Sequence, residues 1–497
     1  MSPLLKSQFN YYRITALIIT LLISLTAVAD DLDTRLRIEQ SIEQQTNQEQ
    51  QELLKNEDYL QGHHPKITLN GKSYPVKHNA NDLGRAIYVS IQQRQWQAVL
   101  YFLSEYQSLA KADPLLLAYA RGSLARVQGD MDLAETEYRH LLSLNPDFLP
   151  GQLELARILF EDHKDKEAKQ QFDKVNLKLD STNSQQQGVI NTIMSFTKAL
   201  EQRNSWTSSF AVGAIWNDNL NQSSESFTCF LYYQGQCLYD RKTPDALEAH
   251  GVDYELTINK QLPISGHHGM YFRTLLYGQS YEDYRDYNEA TSISQFGYRY
   301  QDLDDQIRFA PSFELLSYGN EIRYGAWGLH SEWTRNISNK RMFKLEADYK
   351  KLDYRKESHS RFEGESYSAN ATIWQMLPKN WIVFGGIDWL ENKANEKTLA
   401  YTQWGLRLGV SKQFSYGINA VAFASVRKRD NHEFSKILGE QRSDIEQNYT
   451  VVLKASKLKI AGFTPNLTLR YRTVHSNLDW LFSHQRNQIS FKLERSF

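Results

Sequence analysis

From Trp206 to Phe497 the polarity of the side chains changes with a period of two, and this alternation limits the possible folds more than any other feature of the chain. Val252, Tyr254, Leu256 and Ile258 alternate with Asp253, Glu255, Thr257 and Asn259. Phe343, Leu345, Ala347 and Tyr349 alternate with Lys344, Glu346, Asp348 and Lys350. The same holds for Trp404, Leu406, Leu408 and Val410 against Gly405, Arg407 and Gly409, and for Leu467, Leu469 and Tyr471 against Thr468 and Arg470. Successive side chains of a strand face opposite ways, so each segment has one apolar and one polar face. Full charges on the polar face exclude a sandwich with a dry core. An apolar face towards lipid and a charged face towards a water-filled lumen satisfy both sets. Such a sheet must close, because open edges cannot survive in hydrocarbon.

Fourteen such segments are readable, from 206–217 to 487–497. Connections alternate in length: Ser265 to Gly269, Asp302 to Asp305, Ser338 to Lys340 and Pro378 to Asn380 are short, whereas 218–249, 356–365, 429–444 and 477–486 are long. Short turns on one side and long loops on the other are the habit of transmembrane barrels. Composition agrees. The chain has 29 Tyr, 23 Phe and 10 Trp, concentrated after residue 206, yet its mean hydropathy is only −0.58 because alternation cancels in any average. Ile489, Phe491 and Leu493 continue the alternation towards the terminal Phe497. This ending resembles the sequence read by the barrel-assembly machinery, an expected partner during biogenesis.

A barrel in an outer membrane requires export. Lys6 and Arg13 flank or precede the uncharged run Ile14 to Leu25, and Ala27-Val28-Ala29 follows. A basic start, a short apolar core and an A-x-A site predict a signal peptide over 1–29, cut between Ala29 and Asp30. Residues 30–80 are expected to be a polar linker, acidic and Gln-rich at first, with a short extended piece from Ile67 to Lys72. Cys229 and Cys237 are the only cysteines. A nearby pair in an exported chain makes them disulfide candidates in the first long loop.

Residues 81–203 change to helical spacing, as in Leu83, Ile87 and Ile91. Ala134 and Ala168 lie 34 residues apart, and so do Tyr138 and Phe172; Gly122 precedes Ala134 by twelve, and Asn145-Pro146 closes the unit. Small residues where paired helices cross, an aromatic one turn later and a terminating Pro resemble tetratricopeptide repeats. The expected fold class is therefore α+β multidomain: a periplasmic all-α tetratricopeptide-like solenoid, then a transmembrane antiparallel β-barrel of about 14 strands over 204–497.

Several chemistries find no support. Lys and Arg number 57 against 58 Asp and Glu, so no basic surface asks for nucleic acid. The phosphate-loop, H-E-x-x-H and G-x-S-x-G motifs do not occur. The S-x-x-K matches at Ser195 and Ser425 lack companion motifs. His63-His64 and His267-His268 are expected to be solvated loop rather than metal ligands. No catalytic residue, metal or cofactor is expected. Glu255, Lys344, Glu346, Lys350, Arg407 and Arg470 are expected to face the lumen, in water.

The order of a signal peptide, a small tetratricopeptide region and a barrel entered through Trp216-Asn217-Asp218-Asn219-Leu220-Asn221-Gln222 resembles the surface lipoprotein assembly modulator (Slam) family, whose members have an Asn-rich segment after the first barrel strand. The resemblance covers the chain from residue 81. It implies an outer-membrane translocon of the type XI secretion system, taking client lipoproteins or soluble haem- or iron-binding proteins from periplasm to surface, with the helices capturing the client. An exopolysaccharide exporter and a substrate-specific channel are the alternatives, since helical repeats also accompany polysaccharide-export barrels.

Overall fold

The computed structural model describes residues 67–69, 72–74, 76–180, 186–234 and 236–497. The expected signal peptide, with its cut between Ala29 and Asp30, and most of the linker lie outside these residues. β1 (Ile67–Leu69) and β2 (Lys72–Tyr74) pair antiparallel just before the helices.

Among the described residues seven helices follow: α1 (Ala80–Gln92), α2 (Trp96–Tyr106), α3 (Pro114–Gln128), α4 (Met131–Leu144), α5 (Leu149–Glu161), α6 (Asp165–Asn176) and α7 (Gln187–Asn204). Local sequence places their ends. Asn79, Asp113 and Asp130 accept the amides of Asp82, Leu115 and Leu133, which satisfies orphan donors at three N-termini. Gly129, at φ +84°, ends α3 in a conformation costly for other residues. The helices pack as consecutive pairs. Ala98, Ala134 and Ala168 are buried on the second helix of each pair, and Phe102, Tyr138 and Phe172 are buried one turn later. At the middle pair a Cβ on Gly122 would lie 2.6 Å from the Tyr138 ring, so the glycine is what lets α4 approach α3. The Tyr138 hydroxyl is 2.8 Å from Ser123 Oγ, which spares it an unpaired burial. Phe172 stacks on Phe196 of α7 at 5.2 Å, and α7 thereby covers the open end of the last pair.

The remainder forms a closed barrel of fourteen antiparallel strands: β3 (Thr207–Asn217), β6 (Ala249–Ser265), β7 (His268–Tyr281), β8 (Glu289–Gln301), β9 (Asp305–Tyr318), β10 (Glu321–Ser338), β11 (Arg341–Tyr354), β12 (Gly364–Leu377), β13 (Trp381–Ala394), β14 (Tyr401–Gln413), β15 (Ile418–Asn431), β16 (Ser443–Ala455), β17 (Thr464–Ser476) and β18 (His484–Ser496). β18 returns to β3, in register from Gln488↔Asn217 to Ser496↔Ser209. Phe497 extends the seam: its amide donates to Ser208 O at 2.8 Å, and the Ser208 amide donates back to its carbonyl. Closure leaves no edge in the wall. A separate hairpin, β4 (Phe227–Tyr233) with β5 (Gln236–Lys242), rises from the β3–β6 connection.

Connections at the helical end are short, such as Gly266-His267 and Asn339-Lys340. Most at the other end are long and partly ordered, with 3-10 turns at Arg285–Tyr287 and Glu357–Phe362 and a short helix α8 (Asp479–Phe482).

Candidate functional site

The two faces of the barrel wall differ sharply. Leu345, Leu406 and Leu469 are exposed, at 42%, 54% and 38%, and stand on the apolar series. Charged residues hold the opposite face, where Lys344, Glu346, Arg407 and Arg472 are buried and Glu255, Lys350 and Arg470 half-buried, because they lie along the wall and pair with one another. Lys344 Nζ is 2.9 Å from Glu332 and 3.2 Å from Glu346, and Arg308 also reaches Glu332, at 3.4 Å. Lys350 meets Glu314 at 2.6 Å, spanning the intervening β10. His330 lies 2.8 Å from Asp348. Asp388 receives Arg407 at 3.0 Å and Arg427 at 3.2 Å. Arg472, among the largest fully buried side chains, meets Glu446 at 2.8 Å. Lys492 reaches Glu255 at 3.0 Å across β3, and Arg470 donates to Gln488 at 3.0 Å.

Thus Glu255, Lys344, Glu346, Lys350, Arg407 and Arg470 share one face, but they are not the singly hydrated charges that the alternation suggests. Long side chains on neighbouring or next-but-one strands can reach each other, and a charge withdrawn from water is costly without a partner. Sequence reasoning passed over Asp388, Arg427, Glu446, Arg472 and Lys492. The same alternation would have found them, since each is two residues, or a multiple of two, from polar positions on its own strand. Their pairing is a matter of register between strands.

The mouth at the long-loop end carries the Asn-rich segment. Asn219 donates through its side chain to Ser223 O and to Gln485 O, both at 2.9 Å, and accepts the Ser223 amide at 2.8 Å. Asn221 bonds Asp245 O and the Leu247 amide. Asp218 takes both the backbone and side-chain N–H groups of Asn487 at 2.7 Å. Amide side chains carry a donor and an acceptor together, so they can stitch a buried irregular backbone to its neighbours. Leu220 is buried with Ile215, Ala249 and Tyr281. Beyond this root, Cys229 and Cys237 are bonded and staple the β4–β5 hairpin, with Cα atoms 5.9 Å apart.

At the short-turn end the helices rest on two barrel turns. Glu167 accepts the Gly266 amide at 2.9 Å, Lys166 donates to Ile264 O at 3.0 Å, and Lys260 donates to Asn204 O at 2.8 Å. His267 pairs with Asp162 at 2.9 Å, and Leu303 packs onto the helical core. His267 therefore departs from the expected solvated turn, being paired across the interface, whereas His268 is exposed, its ring 2.6 Å from the Tyr298 hydroxyl. The hydrogen bond to Asp162 raises the His267 pKa. His163, buried in the same contact, is held well below the usual histidine value by burial and then by Arg203 and Arg299.

The first helices of successive pairs line one side of the repeat region. Tyr88 and Tyr119 rings lie 6.4 Å apart, and Arg126 pairs with Glu161 at 2.5 Å. Burial pushes the nearby Glu154 carboxyl up. Among the described residues no group of His, Cys, Asp and Glu is arranged to hold a metal ion, and no helix is long and apolar enough to cross a membrane.

A closed barrel with a lipid-suited outer face, reached through tetratricopeptide helices at its short-turn end, is an outer-membrane protein of a Gram-negative cell with a periplasmic amino-terminal region. The chain belongs to the surface lipoprotein assembly modifier family: residues 206–497 match the surface lipoprotein assembly modifier model, and residues 69–172 match the model of the family's N-terminal TPR repeats. It is 39% identical to the hemophilin secretion modulator of Acinetobacter baumannii over 94% of this chain and 96% of that one. It is 25% identical to surface lipoprotein assembly modifier 2 of Haemophilus influenzae, over 88% and 85%. The solved structure of Acinetobacter baumannii OccAB3 overlays 59% of this chain and 99% of that one at a TM-score of 0.33 and 7% identity, too loose a likeness to carry an argument.

Proposed function

We propose that this chain is an outer-membrane translocon that takes a client protein from the periplasm to the cell surface, the client being a soluble haem-binding protein or a surface lipoprotein. The match to a hemophilin secretion modulator along nearly the whole of both chains carries this reading, because it includes the helices as well as the barrel. Physical features support it. Selective ion pores use rings of one charge sign. Here the charges of the polar face are mixed and mutually paired, as in Lys344 with Glu332 and Arg472 with Glu446. We assign that face, with Glu255, Lys344, Glu346, Lys350, Arg407 and Arg470, to the lumen. Such a wall offers a polypeptide polar neighbours without a strong field, and the closed sheet keeps peptide groups from lipid.

The helices supply the capture surface, with Tyr88, Arg126 and Glu154 on the side lined by α1, α3 and α5. The conduit performs no covalent chemistry and draws on no cofactor. Client folding outside opposes return and gives the direction. The barrel-assembly machinery inserts the chain through its Phe497-terminated strand, and outer-membrane lipid covers the apolar face.

Co-expression tests the reading. The full chain is produced in a heterologous Gram-negative host with either hemophilin or a surface lipoprotein, and client is measured in the medium and on intact cells. Client appearing outside only when the chain is present is expected. Retention of both clients in the periplasm beside a correctly assembled barrel rejects the proposal.

A further inference from the structure

The β4–β5 hairpin is an ordered element that the conduit does not explain. Phe227, Phe230, Leu231, Tyr233, Leu238 and Tyr239 are each more than half exposed on it. Contiguous exposed apolar surface on a folded protein marks a contact site. A two-stranded hairpin is marginal alone in water, and here it is held by the Cys229–Cys237 bond and by its root. Ser224 Oγ donates to Trp480 O at 2.6 Å, and the Arg241 guanidinium lies 3.8 Å over the Trp480 ring. Among the described residues no third strand pairs with either edge.

The two edges differ chemically. β5 carries Asp240, Arg241 and Lys242, the kind of charges by which proteins blunt a free edge. β4 reads Phe-Thr-Cys-Phe-Leu-Tyr-Tyr, with neither charge nor proline. Its backbone groups and aromatic side chains suit the addition of another strand. The hairpin grows from the buried Asn-rich root at the barrel mouth, tied to β18 through Asn219 and Gln485. A polypeptide leaving that mouth unfolded has unpaired N–H and C=O groups, which is what the β4 edge accepts.

We propose that β4 is a strand receiver: an extended segment of the emerging client pairs with its outer edge while the client begins to fold. This deepens the translocon reading and rests on it. The disulfide makes the edge rigid before the client arrives, so less ordering is lost on pairing.

The test uses the full chain in cells, with hemophilin as the probe. A photo-crosslinking amino acid is placed at Leu231 or Tyr233 on β4, and at Leu238 on β5. Hemophilin adducts from the β4 positions are expected, more than from β5. Phe230→Lys and Tyr233→Lys blunt the edge and should lower hemophilin in the medium about tenfold, the size of losing one strong contact. Leu238→Lys should change it little. Outer-membrane level and heat-modifiability on gels should be unaltered in all three, which separates the effect from misassembly. Adducts with lipopolysaccharide alone, or undiminished export by the β4 variants, overturn the receiver and leave the translocon standing. Failure of the unaltered chain to release hemophilin overturns the translocon reading, and the receiver with it.

Discussion

Gly122 shows how one atom decides helix spacing. Glycine in a helix interior costs about 1 kcal/mol relative to alanine, so propensity alone favours Gly122→Ala. Against this, the new Cβ would stand 2.6 Å from a Tyr138 ring that is itself fully buried and held by Ser123. Overpacking of this kind costs about 1–3 kcal/mol. Gly122→Ala should therefore loosen the helical region, seen as faster proteolysis of residues 76–204 in the full chain, with barrel heat-modifiability unchanged.

At the same scale the two faces of the wall make opposite demands. Leu345 and Leu406 stand on the open apolar face, and Arg at either position should cost about 2–4 kcal/mol near mid-membrane and lower outer-membrane levels. From the sequence alone, Glu346→Arg reads as neutral, one hydrated charge for another. The structure changes that expectation, because Glu346 is 5% exposed and 3.2 Å from Lys344. A second cation there is penalised by about 3 kcal/mol, and outer-membrane levels should fall. Glu346→Gln should be milder, since Lys344 keeps Glu332. Equal levels for Glu346→Arg and Glu346→Gln would show that these charges stand in water after all.

Among the elements, the contact of α5 and α6 with the β6–β7 turn is titratable. His267 has a pKa raised above 6.5, chiefly by its hydrogen bond to Asp162. A raised histidine contributes stability that is complete below its ordinary value and is lost as pH rises through the raised folded value. His163 acts in the opposite sense, because its lowered pKa makes acid unfavourable. Lys164 and Asp302 also face His267. Removing one histidine isolates its share. In His267→Gln, the Gly266 amide that donates to Glu167 should exchange faster than in the unaltered chain at pH 6, and the ratio should shrink by pH 8. A ratio independent of pH would assign His267 a packing role only.

For the whole molecule, the contact between helices and barrel is small beside the barrel's own closed hydrogen bonding. Deleting residues 30–200 while keeping residues 1–29 should leave an assembled, heat-modifiable barrel, because every strand from β3 to β18 finds its neighbours within 207–496. Client outside the cell should fall sharply, since the capture side of α1, α3 and α5 is lost. Export at the full rate by the truncated barrel would deny the helices any handling role. In the intact chain, protease should reach residues 76–204 only after the outer membrane is opened.

Period-two polarity determined the barrel, its strand count and which residues share a face, because a strand's two sides are set by chain geometry alone. The 34-residue spacing likewise revealed the repeat helices, since Gly122, Ala134 and Tyr138 interact within one local unit. What alternation cannot carry is register between strands distant in sequence. That Lys492 reaches Glu255 and that β18 meets β3 were decided by closure, and that Asp388 serves both Arg407 and Arg427 by the register of the consecutive strands β13, β14 and β15. Tertiary structure likewise decided the partner of His267, Asp162, which lies more than a hundred residues earlier in the helical region, and the open edge of β4, to which no third strand is brought among the described residues.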